Sequence, residues 1–178
     1  MKQLFALVIT LFLVANAEAA VPTVKWHCKQ QLCSVYGIDA DGQQFLIDSK
    51  IPELMKESKY RFKYYGHNLG GLISYCGSPC YETQFIDFSN HEVTKGYYNV
   101  LAVQAEHQLV AYEGGNVLLV SRIFHPQHSM TVKDHVAGDS ASKIGKIKFL
   151  SDKRLLLVYQ SVKQSKPAKE YVDIALSN

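Results

Sequence analysis

The sequence predicts an all-β protein made of antiparallel sheets, and three kinds of observation support this. Residues 60–64 alternate aromatic and cationic side chains, as a half-buried strand does because successive side chains point to opposite faces. Residues 117–120 and 155–158 are apolar throughout, which is typical of central strands covered on both faces. Turn-forming sequences separate such segments, at residues 41–42, 113–116 and 151–153.

A weak internal repeat predicts how the sheets are built. Three apolar segments end in tyrosine, and a second strand pattern follows each of them; the segments are residues 72–75, 109–112 and 156–159. A spacing of about 40 residues is typical of propeller blades, each of which is a small antiparallel sheet. We therefore predict propeller-blade-like units after an N-terminal hairpin, with a β-sandwich as the alternative.

One short helix is expected near residues 51–57. Ser49 could cap its N-terminus, and Pro52 would lie in its first turn. The apolar residues that would share one face of this helix are Ile51, Leu54 and Met55.

The first nineteen residues have the pattern of a secretory signal. Lys2 precedes an apolar run over residues 4–14, and Ala17-Glu18-Ala19 supplies the small residues that a signal peptidase requires. The apolar run is shorter than the ~20 residues that span a bilayer. We therefore expect residues 1–19 to be removed. Residues 20–178 would then form a single periplasmic domain without a membrane anchor, either monomeric or paired as a homodimer through exposed edge strands.

Four cysteines in an exported chain predict two disulfides. Local pairing of Cys28 with Cys33 and of Cys76 with Cys80 is favoured over a link between the two clusters, because each pair flanks a short turn-like segment. Zinc binding by the same four residues is the weaker alternative, since the spacings differ from the usual paired Cys-x-x-Cys of zinc sites. No cofactor is expected.

The charge of the chain argues against a nucleic-acid partner. The formal net charge is only +3. The densest basic segment, residues 143–154, places many of its cations at alternating positions, which predicts a solvated sheet face. Aromatic residues that could stack on bases are not interleaved with these cations.

A polar stretch over residues 125–142 is predicted to be a loop, and loops of this length commonly carry function. A metal site there would use His125, His128 and His135 with Asp134 or Asp139. Pro126 argues against the helix that would align such histidines, so no metal is expected.

A serine hydrolase is a second interpretation of this stretch. Gly138-Asp139-Ser140 resembles the serine segment of trypsin-like proteases, but Ala141 and Ser142 replace the glycines that continue that pattern. The base would have to be His67 or His91, and the orienting acid Asp87. The chain is too short for the two barrels of that fold, so no catalytic residue is expected.

Recognition of a protein partner is the interpretation that the sequence favours. Tyrosine and glycine are concentrated near turns, and tyrosine offers a large contact area with little side-chain entropy to lose. The tyrosines that end the repeated strands, Tyr75, Tyr112 and Tyr159, are instead expected in the core or on sheet faces. The residues predicted to bind a partner are Tyr65, His67, Asn68, Ser78, Tyr81, His125, His128, Asp139 and Ser140.

On its secretory signal, its cysteine pairs and its blade-like repeats, the chain resembles small periplasmic immunity proteins paired with type VI secretion effectors that degrade the cell wall. This resemblance implies a non-enzymatic protein that binds a secreted toxic effector, a peptidoglycan hydrolase or amidase, and occludes its active site with a loop. Residues 77–81 have a weaker resemblance to the periplasmic lysozyme inhibitors, whose Ser-Gly-x-x-Tyr segment is not present in this chain.

Two other classes of function remain as alternatives. A peptidoglycan- or carbohydrate-binding module would stack sugars on Tyr64, Tyr65, Tyr97 or Trp26. A periplasmic hydrolase would use Ser140 as its nucleophile.

Overall fold

Four antiparallel sheets follow one another along the chain in the computed structural model, which describes residues 20–78, 80–115, 117–134, 142–161 and 167–176. Sheet A contains β1 (Thr23–Lys29), β2 (Leu32–Ile38) and β3 (Gln44–Pro52). The helix α1 (Glu53–Lys59) leads into sheet B, which contains β4 (Tyr60–Gly66), β5 (Leu69–Gly77), β6 (Cys80–Asp87), β7 (Glu92–Val93) and β8 (Tyr97–Tyr98).

The second half of the described chain forms the other two sheets. Sheet C contains β9 (Val100–Gln104), β10 (Leu109–Gly114), β11 (Val117–Arg122) and β12 (His125–Asp134). Sheet D contains β13 (Ser142–Ser151), β14 (Arg154–Ser161) and β15 (Ala168–Asp173).

Each sheet is a meander, because strands that are consecutive in the chain pair with each other, and β8 adds a second partner to β6 beside β7. Between β1 and β2 the turn residues Gln30 and Gln31 have φ angles of 52° and 65°, the positive values that a two-residue hairpin turn needs. The predicted all-β fold of antiparallel, blade-like sheets with one short helix is therefore confirmed. The N-terminal unit has three strands where a hairpin was expected.

The four sheets pack against one another in chain order, and three buried clusters join them. The core between sheets A and B includes Val35, Ile47, Leu72 and Ile86. The core between sheets B and C includes Leu69, Phe85, Tyr97 and Val110. The core between sheets C and D includes Leu118, Val120, Leu155 and Leu157.

Sheet B is covered on both faces, and two adjacent glycines of β5 allow this close packing. A Cβ on Gly70 would lie 2.7 Å from the ring of Phe88 and 2.8 Å from the ring of Phe62. A Cβ on Gly71, which points to the opposite face, would lie 3.0 Å from the ring of Tyr65. Aromatic rings on both sides therefore lie directly over the β5 backbone.

The repeated segments occupy equivalent places in three of the sheets. Residues 72–75, 109–112 and 156–159 lie in β5, β10 and β14, the second strands of sheets B, C and D. The tyrosine that ends each segment differs in its environment. Tyr159 is buried and Tyr112 is half-buried, whereas Tyr75 is 41% exposed on a free part of the sheet face.

The helix spans Glu53–Lys59 instead of the expected residues 51–57, and its packing also differs from the prediction. Ile51 and Pro52 belong to β3, and the N-cap residue Pro52 makes no side-chain capping bond, so Ser49 does not cap the helix. Ile51 is buried as part of a strand, while Leu54 is 93% exposed. The predicted shared apolar face is wrong because the three residues belong to two different elements. In the part of the chain that is described, no helix is long and apolar enough to cross a bilayer.

A strand occupies most of the segment that the sequence analysis treats as a polar loop. β12 is an edge strand of sheet C, so one side is open to solvent and polar residues are tolerated there. Ser121 pairs with Ser129 and Arg122 with His125, so residues 126–128 bulge from the ladder. This bulge accommodates Pro126, which has no N–H to donate. The loop prediction is wrong for residues 125–134, and residues 135–141 lie outside the described residues.

We expect Phe85→Ala to lower the free energy of unfolding by about 3–5 kcal/mol, because it empties a fully buried ring position. The Phe85 ring packs against Tyr65 and Tyr97 at centroid distances of 5.8 and 5.5 Å. Guanidinium denaturation followed by circular dichroism measures the change. Leu54→Ala is the control and should change this free energy by less than about 0.5 kcal/mol, as surface substitutions usually do. Equal effects of the two substitutions would contradict the burial described above.

Candidate functional site

The turns of sheets A, B and C collect at two opposite ends of the stack. The turns at residues 39–43, 67–68, 88–91 and 105–108 lie together at one end, which we call the histidine end because it carries His67, His91 and His107. The turn at residues 30–31 and the hairpin tips at Ser78 and at Gly114 and Gly115 lie at the other end, which we call the disulfide end. These assignments follow from the antiparallel pairing of consecutive strands.

Two disulfides close hairpins at the disulfide end. Cys28 and Cys33 are direct cross-strand partners of β1 and β2, with their Cα atoms 4.0 Å apart. Cys76 and Cys80 close the hairpin of β5 and β6, with their Cα atoms 5.1 Å apart. Both predicted local pairings are confirmed, and each holds a hairpin tip in one geometry.

A groove lies on sheet B beside the second disulfide. Its volume is about 140 Å³, and the residues that line it are Ser58, Lys59, Arg61, Ile73, Tyr75 and Tyr81. Arg61 pairs with Ile73, and Tyr75 pairs with Tyr81. These four side chains therefore project from the same face of the sheet, while the end of α1 forms one wall.

The two tyrosines form an exposed aromatic pair. Their ring centroids are 5.6 Å apart, and Tyr75 and Tyr81 are 41% and 53% exposed. The same face of β6 is buried further along the strand, where Thr83 and Phe85 pack towards sheet C. The groove is thus the part of this sheet face that extends beyond the cover of sheet C.

Asn99 fixes the backbone of Tyr81 to the start of sheet C. The backbone N–H of Asn99 donates to the Tyr81 carbonyl at 2.8 Å, and the Tyr81 N–H donates to Asn99 Oδ1 at 3.2 Å. Asn99 Nδ2 in turn donates to Glu113 Oε2 at 2.9 Å. The aromatic pair therefore stands on a strand that is held by a disulfide at its tip and by hydrogen bonds at its edge.

Positive charge dominates the groove. Lys59 and Arg61 are exposed and contribute two cationic groups to its lining. The nearest acidic residue in β6 is Glu82, and its side chain lies on the opposite face of the sheet, where it covers Gly96. The groove combines two cations, an aromatic pair and the aliphatic surface of Ile73.

A polar network at the histidine end joins sheets A and B. His91 Nε2 and Asp39 Oδ2 are 2.7 Å apart, and the His91 ring stacks on Phe45 at a centroid distance of 4.5 Å. This hydrogen bond to His91, assisted by backbone N–H bonds from Gln43 and Asp41, lowers the pKa of Asp39 against the opposing effect of desolvation.

Asp87 performs a structural role at the same end, between sheets B and C. Its carboxylate accepts hydrogen bonds from the N–H groups of Ser89 and Asn90, from Asn90 Nδ2, and from Gln108 Nε2 at 3.2 Å. In the hydrolase interpretation Asp87 would orient a base, either His67 or His91. Its described bonds go instead to turn residues, and His91 bonds to Asp39.

The predicted partner-binding residues are distributed over several places. Ser78 and Tyr81 lie at the disulfide end, whereas His67 and Asn68 form the exposed turn between β4 and β5 at the histidine end. His125 and His128 lie at the start of β12, with ring centroids 6.2 Å apart.

Tyr65 is half-buried, and the remaining two predicted residues are not described. The Tyr65 ring packs on Phe85, and Lys63 Nζ lies 4.7 Å from the centroid of the Tyr65 ring. Burial raises the pKa of the Tyr65 hydroxyl. Asp139 and Ser140 lie outside the described residues, so their contact with a partner stays a prediction.

Five residues of the groove are not among those predicted from the sequence, namely Ser58, Lys59, Arg61, Ile73 and Tyr75. A signal for Tyr75 was present, because Tyr75 and Tyr81 flank Cys76 and Cys80 symmetrically. Two residues that flank a disulfide-closed hairpin tip have to face each other across the strands. Arg61 had no comparable signal, since its place beside Tyr75 depends on the register between β4 and β5.

No protein-family model matches the chain, and no curated protein matches it either. Among the described residues, no three histidine, cysteine, aspartate or glutamate side chains are grouped so that they could hold a metal ion.

The bond between Asp39 and His91 predicts an acid-sensitive contribution to stability. Because the pKa of Asp39 is lowered in the folded chain, this contribution is present above the unfolded-state pKa of about 4 and is lost as the pH falls through the folded-state value. We expect Asp39→Asn to flatten the decline in unfolding free energy that occurs as the pH falls below about 4. Urea denaturation at a series of pH values measures this decline.

Asp41→Asn is the matched control for this experiment. It removes one carboxylate from the same turn and leaves the bond between Asp39 and His91 in place. The wild-type decline should persist in this variant. An unchanged slope in Asp39→Asn would contradict the role given to the bond.

Proposed function

We propose that the chain is an exported inhibitor of the immunity-protein type, which binds a secreted cell-wall-degrading effector enzyme and occludes its active site. The observation that carries this proposal is the exposed pair of Tyr75 and Tyr81 beside the Cys76–Cys80 disulfide. Exposed tyrosines on a rigid hairpin are typical of protein-recognition surfaces.

Rigidity of the hairpin supports the proposal on energetic grounds. Association has a cost for every side chain and loop that must be ordered at the interface. The disulfide and the Asn99 bonds order the strands that bear Tyr75 and Tyr81 before any partner arrives. A larger part of the contact energy therefore remains as affinity, which an inhibitor of a toxic enzyme needs.

The shape of the β5–β6 hairpin also suits occlusion. Ser78 is exposed at its tip, beyond the disulfide, and the tyrosine pair lies directly behind it. In the proposed complex the tip enters the catalytic cleft of the enzyme, and Tyr75 and Tyr81 pack on the rim of the cleft.

A wall-binding module receives less support from the same surfaces. Sugar rings need an exposed aromatic face. Tyr97 is 5% exposed and donates its hydroxyl hydrogen to the Ile123 carbonyl. Trp26 is half-buried and packs edge-on against Tyr60 at a centroid distance of 5.7 Å. The rings of Tyr64 and Tyr65 are also half-buried.

We expect Tyr75→Ala and Tyr81→Ala each to weaken binding of the target enzyme by at least about tenfold, the loss typical of an interface hot spot. Residues 20–178, which contain all four described sheets, serve as bait in a lysate of the native host. Each retained protein is then purified and assayed for hydrolysis of peptidoglycan with and without the bait.

Tyr171→Ala is the control, since Tyr171 is 60% exposed on β15 of a different sheet. This variant should inhibit the enzyme as the wild type does. Retention of the wild-type chain on purified sacculi, with no inhibited enzyme, would replace the inhibitor proposal by a wall-binding one. Full inhibition by Tyr81→Ala would show that the interface lies elsewhere.

A further inference from the structure

We infer that the groove on sheet B binds an acidic segment of the protein partner, with a carboxylate side chain between Lys59 and Arg61 and an apolar neighbour against the tyrosine pair. This inference rests on the proposed function and specifies the chemistry of the partner surface. The segment is a part of the enzyme that the chain inhibits.

Charge complementarity is the first argument. The last turn of α1 carries Lys56 and Lys59, with Glu57 between them in the chain. Lys59, the last residue of this helix, lines the groove together with Arg61 of β4. Both cations are exposed and therefore available to an incoming anion.

The chemistry of Arg61 favours a carboxylate as that anion. A guanidinium group presents parallel N–H donors that match the two oxygens of a carboxylate. Lys59 adds a second charge on the helical wall of the groove. The Glu82 carboxylate does not compete for these cations, because it lies on the opposite face of sheet B against Gly96.

The size of the groove is the second argument, and it favours a protein side chain over a glycan. A volume of about 140 Å³ is close to that of an engineered cavity that holds one benzene molecule. Sites for drug-sized ligands are larger, at roughly 300–1,000 Å³. The groove therefore suits the side chains of a short protein segment better than a drug-sized ligand or a glycan.

Three acetylated tripeptide amides test the inference: Glu-Trp-Glu, Gln-Trp-Gln and Lys-Trp-Lys. Each is titrated into ¹⁵N-labelled residues 20–178 at low ionic strength, and binding is followed by NMR at the amides of Arg61, Ile73, Tyr75 and Tyr81. We expect the acidic peptide to bind about three- to tenfold more tightly than the neutral one. The difference should shrink as salt screens the charges.

The chain offers a closely matched control for the charge substitutions. Arg61→Gln and Lys59→Gln should each reduce the preference for the acidic peptide. Lys63→Gln removes the same charge from the same face of β4, but Lys63 Nζ lies over the Tyr65 ring and does not line the groove. This variant should retain the preference.

Several outcomes would overturn the inference. They are equal affinity for the acidic and neutral peptides, tighter binding of the lysine peptide, and no shift with any peptide up to about 10 mM. N-Acetylmuramic acid, a carboxylate-bearing sugar of the wall, is titrated in parallel. Tighter binding of this sugar than of the acidic peptide would assign the groove to a glycan.

The inhibition assay distinguishes this inference from the proposed function. If Tyr81→Ala abolishes inhibition while Arg61→Gln and Lys59→Gln inhibit as the wild type does, the inhibitor proposal stands and the acidic segment is rejected. If the wild-type chain inhibits no retained enzyme, the proposed function fails whatever the peptides show.

Discussion

Burial of sheet B on both faces is the constraint on which the other parts of the structure depend. Ile86 of β6 packs towards sheet A, and its neighbour Phe85 packs towards sheet C. Because side chains alternate along a strand, a shift of one residue in the register would exchange these two faces and disrupt both cores. The Cys76–Cys80 disulfide closes the same hairpin and holds that register at its tip. The candidate site therefore stands on a pair of strands whose register is held by two cores and a disulfide.

The ends of the stack show how sheets that share no strand pairing are held together. Apolar packing joins their faces, and polar side chains join their turns. Asp39 reaches His91 between sheets A and B, and Asp87 reaches Gln108 between sheets B and C. These bonds engage turn residues at the histidine end. At the disulfide end the tyrosine pair and the cations of the groove are exposed side by side, and this combination is what makes the groove a candidate for recognition.

The sequence could predict only a small part of the candidate site, since Tyr81 alone of the six residues that line the groove was among the predicted partner-binding residues. Tyr81 and Ser78 were found because they adjoin a short cysteine-bounded turn, which is a local signal. Arg61 and Lys59 were missed because their nearness to Tyr81 depends on the pairing of β4 with β5 and on the path of α1. Tyr75 was placed correctly on a sheet face, but its exposure depends on where the cover of sheet C ends.

Local patterns in the sequence determined most of the strands and turns, both disulfides and the repeat, because each of these is set by residues that are close in the chain. Tertiary structure decided which strand faces are covered. Residues 125–134 have the composition of a loop and form an edge strand, since pairing with β11 satisfies their backbone while one side remains in water. Leu54 has the large apolar side chain that is typical of a core residue, yet it is 93% exposed. The alternation of side chains along a strand shows which residues share a face of the sheet. Only the packing of neighbouring sheets determines which of the two faces is buried.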